Sequence, residues 1–168
     1  MDTHTNDRRV MRTKRALGRA LLEMVVEKGF EKTSIQDIVD RADVGRSTFY
    51  SHYADKEELL QETVAHLGHF LRQATAPVAT KGGHPALAFS GPMLQHIDEV
   101  RDLSGALFAG RGLSTVHTYV HELLAEVVSE HLPERSGKRA LPTDAVAAFV
   151  VDGFLAVARW WLVEEPAR

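Results

Sequence analysis

Cysteine is absent from the 168-residue chain. That excludes a disulfide framework and thiolate metal sites, and it fits a reducing compartment such as the cytoplasm. A secretory signal is also missing: residues 1–10 are polar, and no apolar run of about 7–15 residues follows them. There is no period-2 alternation of useful length and no repeat at a spacing of about 20–50 residues, so neither a sheet nor a solenoid is expected. Enzymatic signatures are lacking too. No GxGxxG follows a strand, and there is no Walker loop, HExxH or nucleophile elbow. Ser, His and Asp occur, but in no motif that assembles a triad. An enzyme is not expected, and no cofactor is implied.

One long apolar run exists, AVAAFVVDGFLAVARWWLV at 145–163. Asp152 and Arg159 interrupt it, and Ala and Gly keep its hydropathy moderate. It reads as a helix buried among several partners, not as a membrane span. With 44% hydrophobic and 26% charged residues, the chain should fold as a soluble globular protein of one domain or two small lobes. The net charge of −3 is unevenly spread. Residues 1–55 hold 10 Lys/Arg and 9 Asp/Glu, against 10 and 14 in 56–168. Arg8, Arg9, Arg12, Lys14, Arg15 and Arg19 form a basic run free of acids, which suggests a polyanion contact at the N-terminal end.

The pattern is helical throughout. A first helix is expected from about Arg12 to Lys28, with Leu17, Ala20, Leu21, Met24 and Val25 as one buried stripe and Gly29 as its stop. Gly18 inside it has no evident reason. A second helix should start at Ser34, with Thr33 as N-cap and Gln36 completing a capping box, and end near Ala42. Asp43 is suited to a positive-φ turn. A third, very short helix begins near Gly45 and stops by His52, because Asp55 with Glu58 caps a long helix that starts at Lys56 and runs past Leu71. TAPVATKGGHP (75–85) reads as a linker, and 133–142 as a polar loop. Further helices are placed near 86–97 (with Gly91-Pro92 breaking or kinking it), 99–109, 113–131 and 143–163, the third of these striped by Leu113, Val116, Val120, Leu123, Leu124, Val127 and Val128.

Two short helices joined by a three-residue turn, braced by a longer helix on each side, have the geometry of a helix-turn-helix. The major groove admits one helix, whose first residues reach the base edges. Arg46 suits guanine O6 and N7, Ser47 several bases, and the Thr48 methyl thymine. Tyr50, His52, Tyr53 and Lys56 suit flanking phosphates. Phe49 is the expected anchor.

The stretch GFEKTSIQDIVDRADVGRSTFYSHYADKEELL (29–60) resembles the DNA-binding domain of TetR/AcrR-type transcriptional regulators. The likeness rests on Gly29-Phe30, Thr33-Ser34-Ile35, Ile38 with Ala42 and Val44, Thr48-Phe49-Tyr50, an aromatic at 53, and Lys56-Glu57 with Leu59-Leu60. Asp43 stands where that family usually has Gly, and Tyr53 where Phe is common. The resemblance implies an all-α fold: an N-terminal three-helix helix-turn-helix DNA-binding domain (1–55) plus a C-terminal helical ligand-binding and dimerisation domain (56–168). It implies a homodimeric regulator, a repressor on a near-palindromic double-stranded operator, released by a small-molecule effector. By position it carries over Thr33, Arg46, Thr48, Tyr50, Tyr53 and Lys56 as DNA contacts. In such regulators the last two helices form a four-helix bundle across the dimer; here a final helix is expected to be missing or very short. The alternative is an all-helical ligand-binding or protein-interaction module that uses the same short helix on a protein.

Expected pocket walls are Phe70, Met93, His96, Leu107, Phe108, His117 and Trp160, which mix apolar bulk with a few polar groups. Phe149, Phe154 and Trp161 are expected at a dimer interface. His117 with His121 and His66 with His69 offer two ligands per helix face, which is short of a zinc site, so no metal is expected.

Overall fold

The computed structural model describes residues 3–75, 84–109, 114–132 and 141–163. Helix α1 spans Thr3–Lys28, α2 Ile35–Ala42, α3 Arg46–Tyr50 and α4 Lys56–Thr75. After a 3-10 turn at Pro85–Leu87 come α5 Ser90–Glu99, α6 Arg101–Ala109, α7 Ser114–Ser129 and α8 Thr143–Val163. Every regular element among the described residues is helical, so the class is all-α as expected. The expected linker at 75–85 and loop at 133–142 lie largely outside the described residues, as does Leu113. The chain divides into two compact units. One takes α1–α3, α4 through Thr63 and the start of α7 through Val116; the other takes α4 from Val64, α5, α6, α7 from His117, and α8.

In the first unit, α1 begins nine residues before the expected Arg12. No Gly or Pro interrupts 3–11, so backbone hydrogen bonding continues beyond the point where the apolar stripe fades. Leu17, Ala20, Leu21, Met24 and Val25 are buried, and α1 packs on α2. Gly29 takes φ 85° and donates its N–H to the Val25 carbonyl at 2.8 Å, a left-handed C-cap that turns the buried Phe30 back on the unit. Gly18 now has a reason. A Cβ there would stand 2.7 Å from Thr63 Oγ1, so α1 and α4 approach where only hydrogen fits.

The start of α2 differs from expectation by one residue. Ser34, not Thr33, is the N-cap: its Oγ accepts from the Asp37 N–H at 3.2 Å, and the Asp37 carboxylate accepts from the Ser34 N–H at 2.8 Å. In this register a carboxylate, not the Gln36 amide, receives the cap N–H, and Ile38 and Val39 turn inward. Lys28, then Ser34, hold the Asp37 carboxyl well below the usual carboxylate range. Thr33 is buried, its hydroxyl donating to the Gly29 carbonyl at 2.9 Å. Asp43 ends α2 at φ 52°, as its position suggested, with the Val44 N–H on the Val39 carbonyl at 3.0 Å. Asp55 caps α4 by accepting from the Glu58 N–H at 2.8 Å, and Glu58 reaches back to the Ala54 N–H at 2.6 Å.

In the second unit, α8 packs on α6 and on the 3-10 turn through Ala147, Val151, Leu155 and Ala158. This corrects the expectation of burial all round. Among the described residues the other face of α8 stays open, with Phe149 (79% exposed), Val157 (60%), Trp160 (50%) and Val163 (47%) facing outward. α5 begins at Ser90, not 86; Pro92 sits in its first turn, where its missing N–H leaves no bond unmade. Arg72 ties α4 to α7 through Glu126 and Glu130.

Candidate nucleic-acid interface

Only five residues form α3, so it has little capacity to hold itself. Its fixed point is Phe49, which is fully buried, with ring contacts to Tyr50 (5.4 Å between centroids) and Tyr53 (5.7 Å). Burying one such aromatic contributes roughly 1.5–3 kcal/mol. The Gly45 carbonyl accepts from both Thr48 and Phe49 N–H groups, and the Ser51 hydroxyl donates to the Thr48 carbonyl at 2.7 Å. A helix fixed at one point and backed by α2 leaves its other faces to solvent.

Those faces carry the expected polar residues. Arg46, Ser47 and Tyr50 are exposed, and Thr48 and His52 are half-buried. The Arg46 guanidinium donates from Nη1 to Gln36 Oε1 (3.4 Å) and from Nη2 to the Tyr50 hydroxyl (3.3 Å), and lies 5.6 Å from the Tyr50 ring centroid. Gln36, expected as a capping partner, is therefore a neighbour of Arg46, which periodicity gave no means of seeing.

Three expected contacts stand differently. Thr33 is buried in the α1–α2 turn. Tyr53 is 3% exposed with the Lys14 ammonium 5.5 Å from its ring centroid; burial first, then Glu62, raises its hydroxyl above the ordinary tyrosine range. Lys56 Nζ donates to the carbonyls of Phe30 (2.8 Å), Thr33 (3.1 Å) and Glu31 (3.4 Å), and sits 4.6 Å from the Phe30 ring centroid. It fastens the α1–α2 turn to the first turn of α4.

The expected pocket residues are only partly brought together. Phe70 and His96 face each other with centroids 6.0 Å apart, and Met93 is buried. Burial lowers the His96 pKa from its ordinary value, while the Glu99 charge opposes that shift. Leu107 and Phe108 are half-buried, whereas His117 is exposed and Trp160 points outward from α8. Of the expected interface residues, Phe149 is exposed. Phe154 packs edge-on against Phe89 at 4.9 Å, and Trp161 lies under the Arg101 guanidinium at 4.6 Å. His121 pairs with Asp152 at 3.1 Å. Among the described residues no three His, Asp or Glu side chains converge to hold a metal ion.

A short exposed helix bearing Arg46, Ser47 and Thr48, joined to α2 by three residues and braced by α1 and α4, defines a helix-turn-helix protein. The family model of bacterial regulatory proteins, tetR family, matches residues 19–63, which is this same segment. The chain is similar to the uncharacterized HTH-type transcriptional regulator YxbF of Bacillus subtilis (strain 168), 48% identical over 59 residues, or 34% of this chain and 16% of that protein. It is similar to the HTH-type transcriptional regulator TcmR of Streptomyces glaucescens, 32% identical over 96 residues, or 56% of this chain and 42% of that one. The chain thus spans less than half the length of these curated relatives. The likeness extends further in structure: a TetR transcriptional regulator from Streptococcus agalactiae 2603V superposes over 95% of this chain and 87% of its own, with TM-score 0.55 and 28% identity. Residues 19–63 therefore carry the DNA-binding segment of the tetR family of bacterial regulatory proteins.

Proposed function

We propose that the protein is a sequence-specific DNA-binding regulator that acts in the cytoplasm as a homodimer and represses from a near-palindromic operator until a small molecule releases it. The observation that carries the reading is the pair Arg46 and Ser47, both exposed, with the half-buried Thr48 beside them, on a helix whose only buried residue is Phe49. Base edges in the major groove are read by side chains of this kind at the start of such a helix. Arg46, Ser47 and Thr48 face bases, with Tyr50 and His52 toward phosphate. Thr33, Tyr53 and Lys56 enter as the packed frame, and Lys56 meets a phosphate only by giving up one of its carbonyl partners. The DNA-binding domain corresponds to residues 1–55, and residues 56–168 form the effector and dimer domain. α4 begins at Lys56, in contact with the α1–α2 turn, so a shift of α4 on effector binding would move the reading helix. Phe70, Met93 and His96 line the effector side. The outward face of α8, with Phe149, Val157, Trp160 and Val163, supports a dimer, since a second copy would cover it.

Random-oligonucleotide selection with the full chain tests the DNA assignment and returns the operator together. A two-fold symmetric consensus bound more weakly as salt rises is expected; no enriched sequence would favour a protein-binding module. A size-exclusion mass near twice 18.6 kDa, reduced to one chain by Phe149→Asp, tests the dimer.

A further inference from the structure

We propose that Gln36 and Asp40, on the helix before the reading helix, are positioning residues that aim the Arg46 guanidinium at its base. The inference rests on the DNA-reading assignment above and adds to it a specificity element in α2.

The chemistry fixes the direction of each group. Asp40 offers only acceptors when ionised, and its Oδ1 takes a hydrogen bond from Gln36 Nε2 at 2.7 Å. The amide nitrogen of Gln36 is thereby committed to Asp40, and its oxygen must face the other way. That oxygen faces Arg46 Nη1 at 3.4 Å. The Tyr50 hydroxyl accepts from the other terminal nitrogen, Nη2, at 3.3 Å. Each Nη carries two hydrogens, so each keeps one to donate to an acceptor such as guanine O6 or N7. Both contacts to Arg46 are long, so they add little stability. Their effect is directional: an exposed arginine samples many rotamers, and a partner on each terminal nitrogen removes most of them before DNA arrives. Gln36 and Asp40 are themselves exposed, and their hydrogen bond spans one turn of α2, so neither is needed for the core.

The test is a double-mutant cycle read per base pair. Wild type, Gln36→Ala, Arg46→Ala and the double variant are each taken through binding to the selected operator and to its single-base-pair variants. Arg46→Ala should lose at least about fivefold discrimination at one base pair of each half-site. Gln36→Ala should lose about three- to tenfold at that same base pair, and nothing further once Arg46 is absent. Asp40→Ala should lower discrimination there while raising affinity for all sequences, because it removes a negative charge near the phosphates. A structural defect would not separate those two quantities. The proposal is overturned by equal Gln36→Ala losses with and without Arg46, by a loss at a different base pair, or by a uniform loss at every position. A wild-type chain that selects no sequence overturns the DNA-reading assignment along with it.

Discussion

Replacing Gly18 by alanine sets two effects of opposite sign against each other, and the structure says which wins. In an isolated helix the change stabilises by roughly 0.8–1 kcal/mol, since glycine loses the most backbone freedom on folding. Here the new methyl would sit 2.7 Å from Thr63 Oγ1 and 3.3 Å from its Cγ2. Thr63 cannot yield cheaply. It is β-branched, stiff about χ1, and its hydroxyl donates to the Leu59 carbonyl at 2.7 Å. Relief requires either breaking that bond and rotating the side chain or moving α1 from α4; overpacking of this kind costs roughly 1–3 kcal/mol. Gly18→Ala should therefore destabilise by about 1 kcal/mol net. In a Thr63→Ala background the nearest remaining atom is the Cβ, at an ordinary 3.6 Å. There the same change should become stabilising by about 0.5–1 kcal/mol, the bare propensity gain. Urea denaturation of the four proteins, followed by far-UV circular dichroism, measures the coupling. An unchanged effect of Gly18→Ala in the two backgrounds refutes the close-approach argument, whichever its sign.

Three further outcomes are expected. Asp43 holds φ 52° at the end of α2, so Asp43→Gly should raise stability by about 1 kcal/mol, seen as a higher urea midpoint with an unchanged slope. Lys56→Ala leaves the Phe30 and Thr33 carbonyls without their ammonium donor and should cost about 1–3 kcal/mol, again read in urea, while weakening binding to all DNA sequences alike. His96 titrates below its ordinary 6.5 in the folded protein because its half-buried ring is partly desolvated. The unfolded chain therefore takes up the proton first, and stability is complete above pH 6.5 and lost as pH falls from there toward the folded value. His96→Phe should flatten that part of the pH–stability curve; an identical slope in both proteins would remove His96 as its source.

Much of the first unit was written in local order. The spacing of Leu17, Leu21, Met24 and Val25, the stop at Gly29, and the Asp43 and Asp55 punctuation are effects of neighbours along the chain, and each is found where the sequence put it. The resemblance carried by 29–60 names the same class as the fold and the matched family. What could not be read is whatever depends on a neighbour distant in sequence. Ser34 and Thr33 are equally able to cap a helix; that Thr33 turns inward to the Gly29 carbonyl, leaving Ser34 to cap, is settled by packing around the α1–α2 turn. Lys56 looks like any basic residue at a helix start until three carbonyls from residues 30–33 surround its ammonium. Gln36 acquires its place beside Arg46 only when the turn at 43–45 folds α3 back on α2. The apolar α8 could be a core helix or a half-covered one, since composition cannot count neighbours. Sequence determined which segments are helical and where the helix-turn-helix lies; tertiary structure decided which polar groups are spent inside the protein and which stay exposed, because that choice is made by contacts no local pattern encodes.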